Sequence, residues 1–290
     1  TEALTGSILG LVQPCDEVLL FQPMYDSYVP IIRLAGGIPK FLRLEPPHWR
    51  LPEEAIRAAI TPKTRYVILN NPLNPAAVVY PREDLEMLGR ICQEHNLIAI
   101  CDEVWEHVVF DGREHIPLIS IPGMRDRTVK IGSAGKIFGL TGWKIGFVCA
   151  APQILRVLAK AHQFITFTTA PSLQVAVAYG LGKPDDYFLQ MRADLARSRD
   201  RLSKGLSSLG FPVLQSQGTY FLNVDLAPLG LNESDVAFCK RIVHEHKVAA
   251  IPVSAFYEEN HVTSVVRFCF SKKDETLDTA LERLTHVLHG

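Results

Sequence analysis

Between a strand-like run at 127–132 and another at 145–150, the chain carries Ser133-Ala134-Gly135-Lys136-Ile137-Phe138-Gly139-Leu140-Thr141-Gly142-Trp143-Lys144. This segment sets a seryl hydroxyl and two ammonium groups at short, fixed separations. Its glycines and threonine make it a loop held between two buried strands. A lysine between Gly135 and the apolar Ile137-Phe138 pair can be partly desolvated, which favours a nucleophilic amine. That is the chemistry of an imine-forming lysine. Taken alone, Lys136 and Lys144 read more readily as surface lysines on a glycine-rich turn. A nucleotide phosphate loop does not fit: the first glycine of G-x-x-x-x-G-K-[ST] would fall at Lys130, and Ile137 stands where the hydroxyl residue belongs.

Other side chains with chemical potential sit at the ends of apolar runs. Asp102 follows Leu97-Ile98-Ala99-Ile100-Cys101, as a helix N-cap or as the partner of a buried cation. The run Tyr66-Val67-Ile68-Leu69 ends on Asn70-Asn71-Pro72-Leu73-Asn74-Pro75. Side-chain amides thus arrive at the carboxyl end of a strand, where open parallel sheets collect ligands, although Asn-Pro pairs also start ordinary turns. Arg267 interrupts the strand Val265-Val266-Arg267-Phe268-Cys269-Phe270. A guanidinium there needs a partner, and its planar fork suits a carboxylate, either a substrate's or that of a structural salt bridge. His244 and His246 point to different sides of a helix end, so no metal site is expected.

Ser133-x-x-Lys136 followed by Gly139-Leu140-Thr141-Gly142-Trp143-Lys144-Ile145-Gly146 resembles the lysine loop of the class I and II aminotransferases, which are pyridoxal 5′-phosphate (PLP) enzymes of fold type I. The resemblance extends over essentially the whole chain, including Gly218-Thr219-Tyr220-Phe221 and Ile251-Pro252-Val253-Ser254-Ala255-Phe256-Tyr257. It implies that Lys136 forms the Schiff base with the cofactor and then serves as general base and acid. Ser133 and Lys144 hold the phosphate, with Thr1 as the last residue of a phosphate cradle at a helix start. It also implies that Tyr25 stacks on the pyridine ring, that Asp102 keeps the ring nitrogen protonated, and that Asn74 bonds the phenolic oxygen beside the substrate. Arg267 takes the substrate α-carboxylate. Two positions depart from the family pattern. Ala76-Ala77 replaces the Thr-Gly of N-P-T-G, and Trp105 replaces the Tyr of D-x-x-Y, leaving an indole N–H at the cofactor oxygen.

The elements that must position these groups alternate strand and helix from Glu17 to Ala150, which argues an α/β fold with a mainly parallel sheet covered on both faces. Helices are expected at Thr1–Val12, Pro52–Ala59, Arg82–His95 and Ile154–Phe167, and Pro171–Leu181 reads as a buried helix rich in Ala and Val. The turn at Gly182-Lys183-Pro184 is the expected boundary between a three-layer PLP-binding large domain, 1–182, and a small α+β domain, 183–290. The small domain begins with a long helix, Tyr187–Leu209. Strands at 213–215, 219–224, 248–251 and 265–270 and helices at 233–245 and 275–288 follow.

Composition narrows the partners. A 290-residue chain with 47% hydrophobic residues can bury a large core, and a net charge of −1 provides no field for nucleic acid or an anionic membrane. A small-molecule amino acid and a 2-oxo acid are the expected partners, with a homodimer implied by the family. Six scattered cysteines without a C-x-x-C pair, and no apolar run of spanning length, point to the cytoplasm. The chain starts at Thr1 inside what resembles a motif, so a segment before it is expected to complete the amino-acid pocket and dimer contact. Within the family, Pro23–Tyr28 and Asp102–His107 look most like kynurenine, glutamine-phenylpyruvate and methionine aminotransferases. The alternatives are a cysteine-conjugate β-lyase using the same residues, and a catalytically inactive PLP-fold binding module.

Overall fold

A computed structural model describes residues 1–259 and 261–288. Six strands, β1 (Glu17–Gln22), β2 (Ile38–Arg43), β3 (Thr64–Asn70), β4 (Ile98–Asp102), β5 (Thr128–Ser133) and β6 (Gly146–Cys149), form one sheet in the order β2-β1-β3-β4-β5-β6. All neighbours are parallel except β5 and β6. Side chains alternate between faces, so both faces of the strand runs are apolar. Leu19, Val67, Leu69, Ala99 and Cys101 pack to one side with α3 (Glu53–Ala59) and α4 (Arg82–Glu94). Val18, Leu20, Ile68, Ile100 and Val129 pack to the other with α1 (Glu2–Leu11), α2 (Tyr28–Leu34) and α6 (Pro152–Gln163). Each fully buried Leu, Ile or Val contributes roughly 1.5–3 kcal/mol.

The register aligns the chemistry. Asn70 at the end of β3 pairs with Asp102 at the end of β4, and Asp102 pairs with Ile131 of β5, so the polar residues emerge together at the carboxyl edge. The segment after β5 is not a plain loop. A single helical turn, α5 (Ala134–Ile137), and a 3₁₀ turn (Thr141–Trp143) fill it. Nor is it held between two buried strands, since Gly146 and Cys149 of the edge strand β6 are exposed.

The remaining strands, β7 (Phe221–Asp225), β8 (Ile251–Pro252) and β9 (Val265–Cys269), form an antiparallel sheet in the order β7-β9-β8, packed with α8 (Asp185–Ser208), α9 (Asp235–His246) and α10 (Asp274–Leu284). The strand expected at 213–215 is only a bridge between Val213 and Val224, and that at 248–251 shrinks to two residues. The helix α7 (Pro171–Leu181) corrects a second expectation. Val177 alone is buried, while Val175 is 70% and Tyr179 71% exposed. Its apolar residues were read as core because of their type, yet no described element covers its outer side.

The two sheets share packing. Val253 and Val265 enter the cluster built on β1 and β3, and Trp105, Val108 and Phe110 enter the cluster around β7 and β9. One of the seams is strained. Ala77, at the glycine position of the N-P-T-G pattern, has φ +60° and is buried. Its N–H donates to Leu73 O at 2.7 Å, and its carbonyl accepts from Gln217 N at 2.7 Å, so the surroundings hold it there. The left-handed conformation costs an L-residue about 1–2 kcal/mol, and glycine returns roughly 0.5–1 kcal/mol of unfolded-state entropy against that relief. Ala77→Gly is therefore expected to raise the free energy of unfolding by roughly 0.5–1 kcal/mol. Denaturant unfolding of the two proteins checks this, and an unchanged or lower midpoint would contradict it.

Candidate active site

The carboxyl edge of the large sheet opens into a cavity of about 930 Å³. Thr1, Tyr25, Asn74, Asp102, Trp105, Ser133, Lys136, Lys144 and Arg267 all line it. Residues separated by up to 266 positions in the chain are thereby brought to one wall by the strand ends and by β9.

Lys136 lies in α5 immediately after β5, with Ser133 as the residue that caps the turn. Gly135 lets the backbone pack closely beside it, since a Cβ there would come within 3.1 Å of Thr141 Cα and 3.2 Å of Leu140 O. Lys136 is half-buried, whereas Lys144 is exposed in a left-handed conformation, φ 56°, at the end of the 3₁₀ turn. Asp102 faces them from β4. Its Oδ2 accepts a 2.6 Å hydrogen bond from the hydroxyl of Tyr28, and its buried Oδ1 has no partner among the described residues. Burial pushes the Asp102 carboxyl above its ordinary range, while the Tyr28 hydrogen bond and the Lys136 charge pull it back. Burial and the same carboxylate push the Tyr28 hydroxyl well above its usual value, which keeps it a donor.

Asn74 is placed by its neighbour at the strand end. Asn70 Oδ1 accepts the Asn74 backbone N–H at 2.7 Å, and Asn70 Nδ2 donates to Asp102 O at 2.8 Å. Arg267 comes from the middle strand of the second sheet and donates to Asn74 Oδ1 at 2.5 Å. Its guanidinium lies between two rings, 3.9 Å from the centroid of Phe221 and 4.7 Å from that of Phe256. No carboxylate forms a salt bridge with it among the described residues, so the structural ion pair considered from sequence is not what the strand holds there. Burial lowers its pKa to about 10, which still leaves it cationic at neutral pH. A desolvated, unneutralised guanidinium facing a cavity is a strong carboxylate receptor.

Trp105 is buried at the D-x-x-Y position, its ring edge-on to Tyr220 with centroids 4.3 Å apart. The Lys136 ammonium lies 5.0 Å from the Trp105 ring centroid. Sequence reasoning overlooked Tyr28, Tyr220, Phe221 and Phe256. One signal was available for Tyr28: a tyrosine inside the apolar run Tyr28–Leu34 must find a partner for its hydroxyl.

The donors fit a pyridine aldehyde bearing a phosphate. The buried, unpartnered Asp102 Oδ1 suits a ring N–H, the Lys136 amine suits the aldehyde, and Ser133 with Lys144 suits the phosphate. Among the described residues, no helix is long and apolar enough to cross a membrane.

Known proteins place this architecture. The family profile described as Aminotransferase class I and II matches residues 1–284. The chain is 41% identical over 299 residues to the probable N-succinyldiaminopimelate aminotransferase DapC of Mycobacterium tuberculosis, a match covering 98% of this chain and 74% of that protein. It is 39% identical to the methionine aminotransferase of Escherichia coli, over 99% of this chain and 74% of the relative. The rat kynurenine–oxoglutarate transaminase 3 is 37% identical, over 97% and 68% of the two chains. The solved structure of the M. tuberculosis N-succinyldiaminopimelate aminotransferase superposes with a TM-score of 0.95 at 42% identity, covering 99% of this chain and 75% of that one.

Proposed function

The chain belongs to the class I and II aminotransferases, PLP-dependent enzymes of fold type I that exchange an amino group between an amino acid and a 2-oxo acid, and on that premise we propose what each cavity residue does. The observation that carries the proposal is the convergence of Lys136, Asp102 and Arg267 on one cavity. Bound PLP supplies an aldehyde for an amine and an electron-poor ring that accepts the pair left when a Cα bond breaks. Lys136 would provide the amine, and its Nζ, once displaced by the substrate's amine, would take the proton from Cα and pass it to the cofactor's former aldehyde carbon. Asp102 Oδ1 would hold the ring nitrogen proton, and Ser133, Lys144 and Thr1 would hold the phosphate. Tyr25 would cover the ring face, with Asn74 and the Trp105 indole on the phenolic-oxygen side.

Arg267 orients the amino acid through its α-carboxylate, which fixes the Cα–H bond relative to the ring and to Nζ. The aromatic walls, Tyr25, Trp105, Phe221 and Phe256, support an aromatic, Met, Gln or kynurenine-type side chain as the substrate's remainder. The exposure of the large apolar side chains Phe164, Phe167, Val175 and Tyr179, on and just before α7, supports a homodimer that covers them. Six free thiols fit the reducing cytoplasm. The division at 182/183 belongs to the same proposal: α8 begins the unit built on the second sheet.

Incubation with PLP, an aromatic or sulfur-containing amino acid and a 2-oxo acid should yield the exchanged pair of products. Pyruvate, ammonia and a released thiol from a cysteine conjugate, without amino transfer, would instead identify a β-lyase. Arg267→Ala should raise KM for the amino acid about 10²-fold with a smaller change in kcat, as expected for a lost bidentate charge-assisted pair. A KM within about twofold of the parent would remove Arg267 from the carboxylate role.

A further inference from the structure

We infer that Tyr220 is a positioning residue for Lys136, its hydroxyl holding the lysine Nζ within the site whenever that amine is not covalently engaged. The inference rests on the reading of Lys136 as the covalent residue. Nζ donates to the Tyr220 hydroxyl at 3.1 Å, its sole hydrogen bond among the described residues. The same ammonium lies 5.0 Å from the Trp105 ring centroid and 5.5 Å from that of Tyr220, which stand nearly perpendicular at 87°. Two aromatic walls and one oxygen therefore define where the amine rests.

The tryptophan at 105 makes that oxygen significant. An indole carries a donor and no acceptor, so Trp105 cannot take a hydrogen bond from an ammonium. The Tyr220 hydroxyl can accept from the ammonium and can donate to the lone pair of the neutral amine. It thus serves both protonation states of a group whose work is to take up a proton and give it back.

Backbone strain immediately before Tyr220 points the same way. Thr219 is fully buried with φ +66°, a left-handed conformation that a β-branched residue rarely adopts. Its N–H donates to Val108 O at 2.9 Å, and its Oγ1 accepts the Phe221 N–H at 3.1 Å. The preceding residue, Gly218, is closely packed, since a Cβ there would lie 2.9 Å from Pro72 Cβ and 3.0 Å from Val108 O. Such strain persists where the surroundings over-determine it and concentrates at functional sites. Here it delivers two consecutive residues to two cations, Tyr220 to Lys136 and Phe221 to Arg267.

The test uses the cofactor-free protein. Tyr220→Phe keeps the ring and removes the oxygen. The rate at which added PLP becomes reducible by borohydride onto Lys136 should fall about tenfold, the worth of one hydrogen bond to a charged group. Affinity for pyridoxamine phosphate, which has no aldehyde, should stay within about twofold, as should KM, while kcat falls about tenfold. Thr219→Gly, which retains the Tyr220 hydroxyl but removes Thr219 Oγ1 and frees the backbone, should slow capture in the same direction. Capture at the parental rate in Tyr220→Phe would overturn the inference. So would a parallel loss of pyridoxamine phosphate affinity, the mark of a purely structural role. No adduct on Lys136 in the parent would overturn the assignment of Lys136 itself, a failure distinct from either.

Discussion

Lys136→Arg is expected to lose at least about 10⁴-fold in kcat/KM while remaining folded. Two separate tasks are proposed for the same Nζ: the covalent bond to the cofactor aldehyde, and the proton transfer at Cα, which alone is worth about 10²–10⁴-fold. Arginine keeps the positive charge that Asp102 faces, yet its guanidinium stays protonated at working pH and can do neither task. The half-buried side chain and the close packing of Gly135 against Thr141 and Leu140 leave α5 in place whichever residue stands at 136. Lys144 is no substitute, because it sits exposed on a left-handed turn beyond the helix. Steady-state kinetics on purified protein measures the loss. Activity above about 1% of the parent would contradict the assignment, since general acid–base catalysis alone exceeds that factor.

Asp102→Asn is expected to lower kcat by about 10²–10³-fold, the usual cost of removing one preorganised charge from a water-excluded site. The substitution conserves shape, and an oxygen remains to accept the Tyr28 hydroxyl, so the loss reports the charge itself. The same change should stabilise the cofactor-free protein. Burial raises the Asp102 pKa, so between the ordinary carboxylate value and the raised one the folded state binds more protons than the unfolded state. Stability of the cofactor-free protein therefore falls as pH rises through that window, and the full penalty is present above it. Asp102→Asn removes that slope. A variant less stable than the parent at neutral pH, or one that keeps its activity, would contradict the role assigned to this carboxylate.

The strands of the large sheet were legible because helices cover both faces. Runs such as Val67-Ile68-Leu69 and Ile98-Ala99-Ile100-Cys101 are apolar at every position, and each ends where the sheet ends, on Asn70 or Asp102. Asp102 and Arg267 stood out for the related reason that a charged group at the end of or within a buried strand needs a partner, whereas Lys136 stood out only through the resemblance of its loop, and the structure brings all three to one cavity. The small sheet was harder to read. Its β8 is two residues long, and composition cannot tell so short a ladder from extended loop. The exposure of α7 was invisible because hydrophobicity reports what a surface would bury, not whether anything lies against it. Tyr28 and Tyr220 were missed as site residues because their partners lie 74 and 84 residues away in the chain. Only the fold brings Tyr28 to Asp102 and Tyr220 to Lys136. The departure at Trp105 was read as a residue lacking a phenol, whereas the neighbouring hydroxyl of Tyr220 becomes visible only once the two rings are seen edge to edge.

Borohydride reduction after incubation with PLP, followed by peptide mass mapping, bears most directly on the central claim that the Lys136 amine bonds the cofactor. A single pyridoxyl group on the peptide containing Lys136 is the expected result, with Lys130 and Lys144 unmodified. A reduced adduct on any other lysine with Lys136 intact, or no adduct under conditions where PLP is bound, would contradict it.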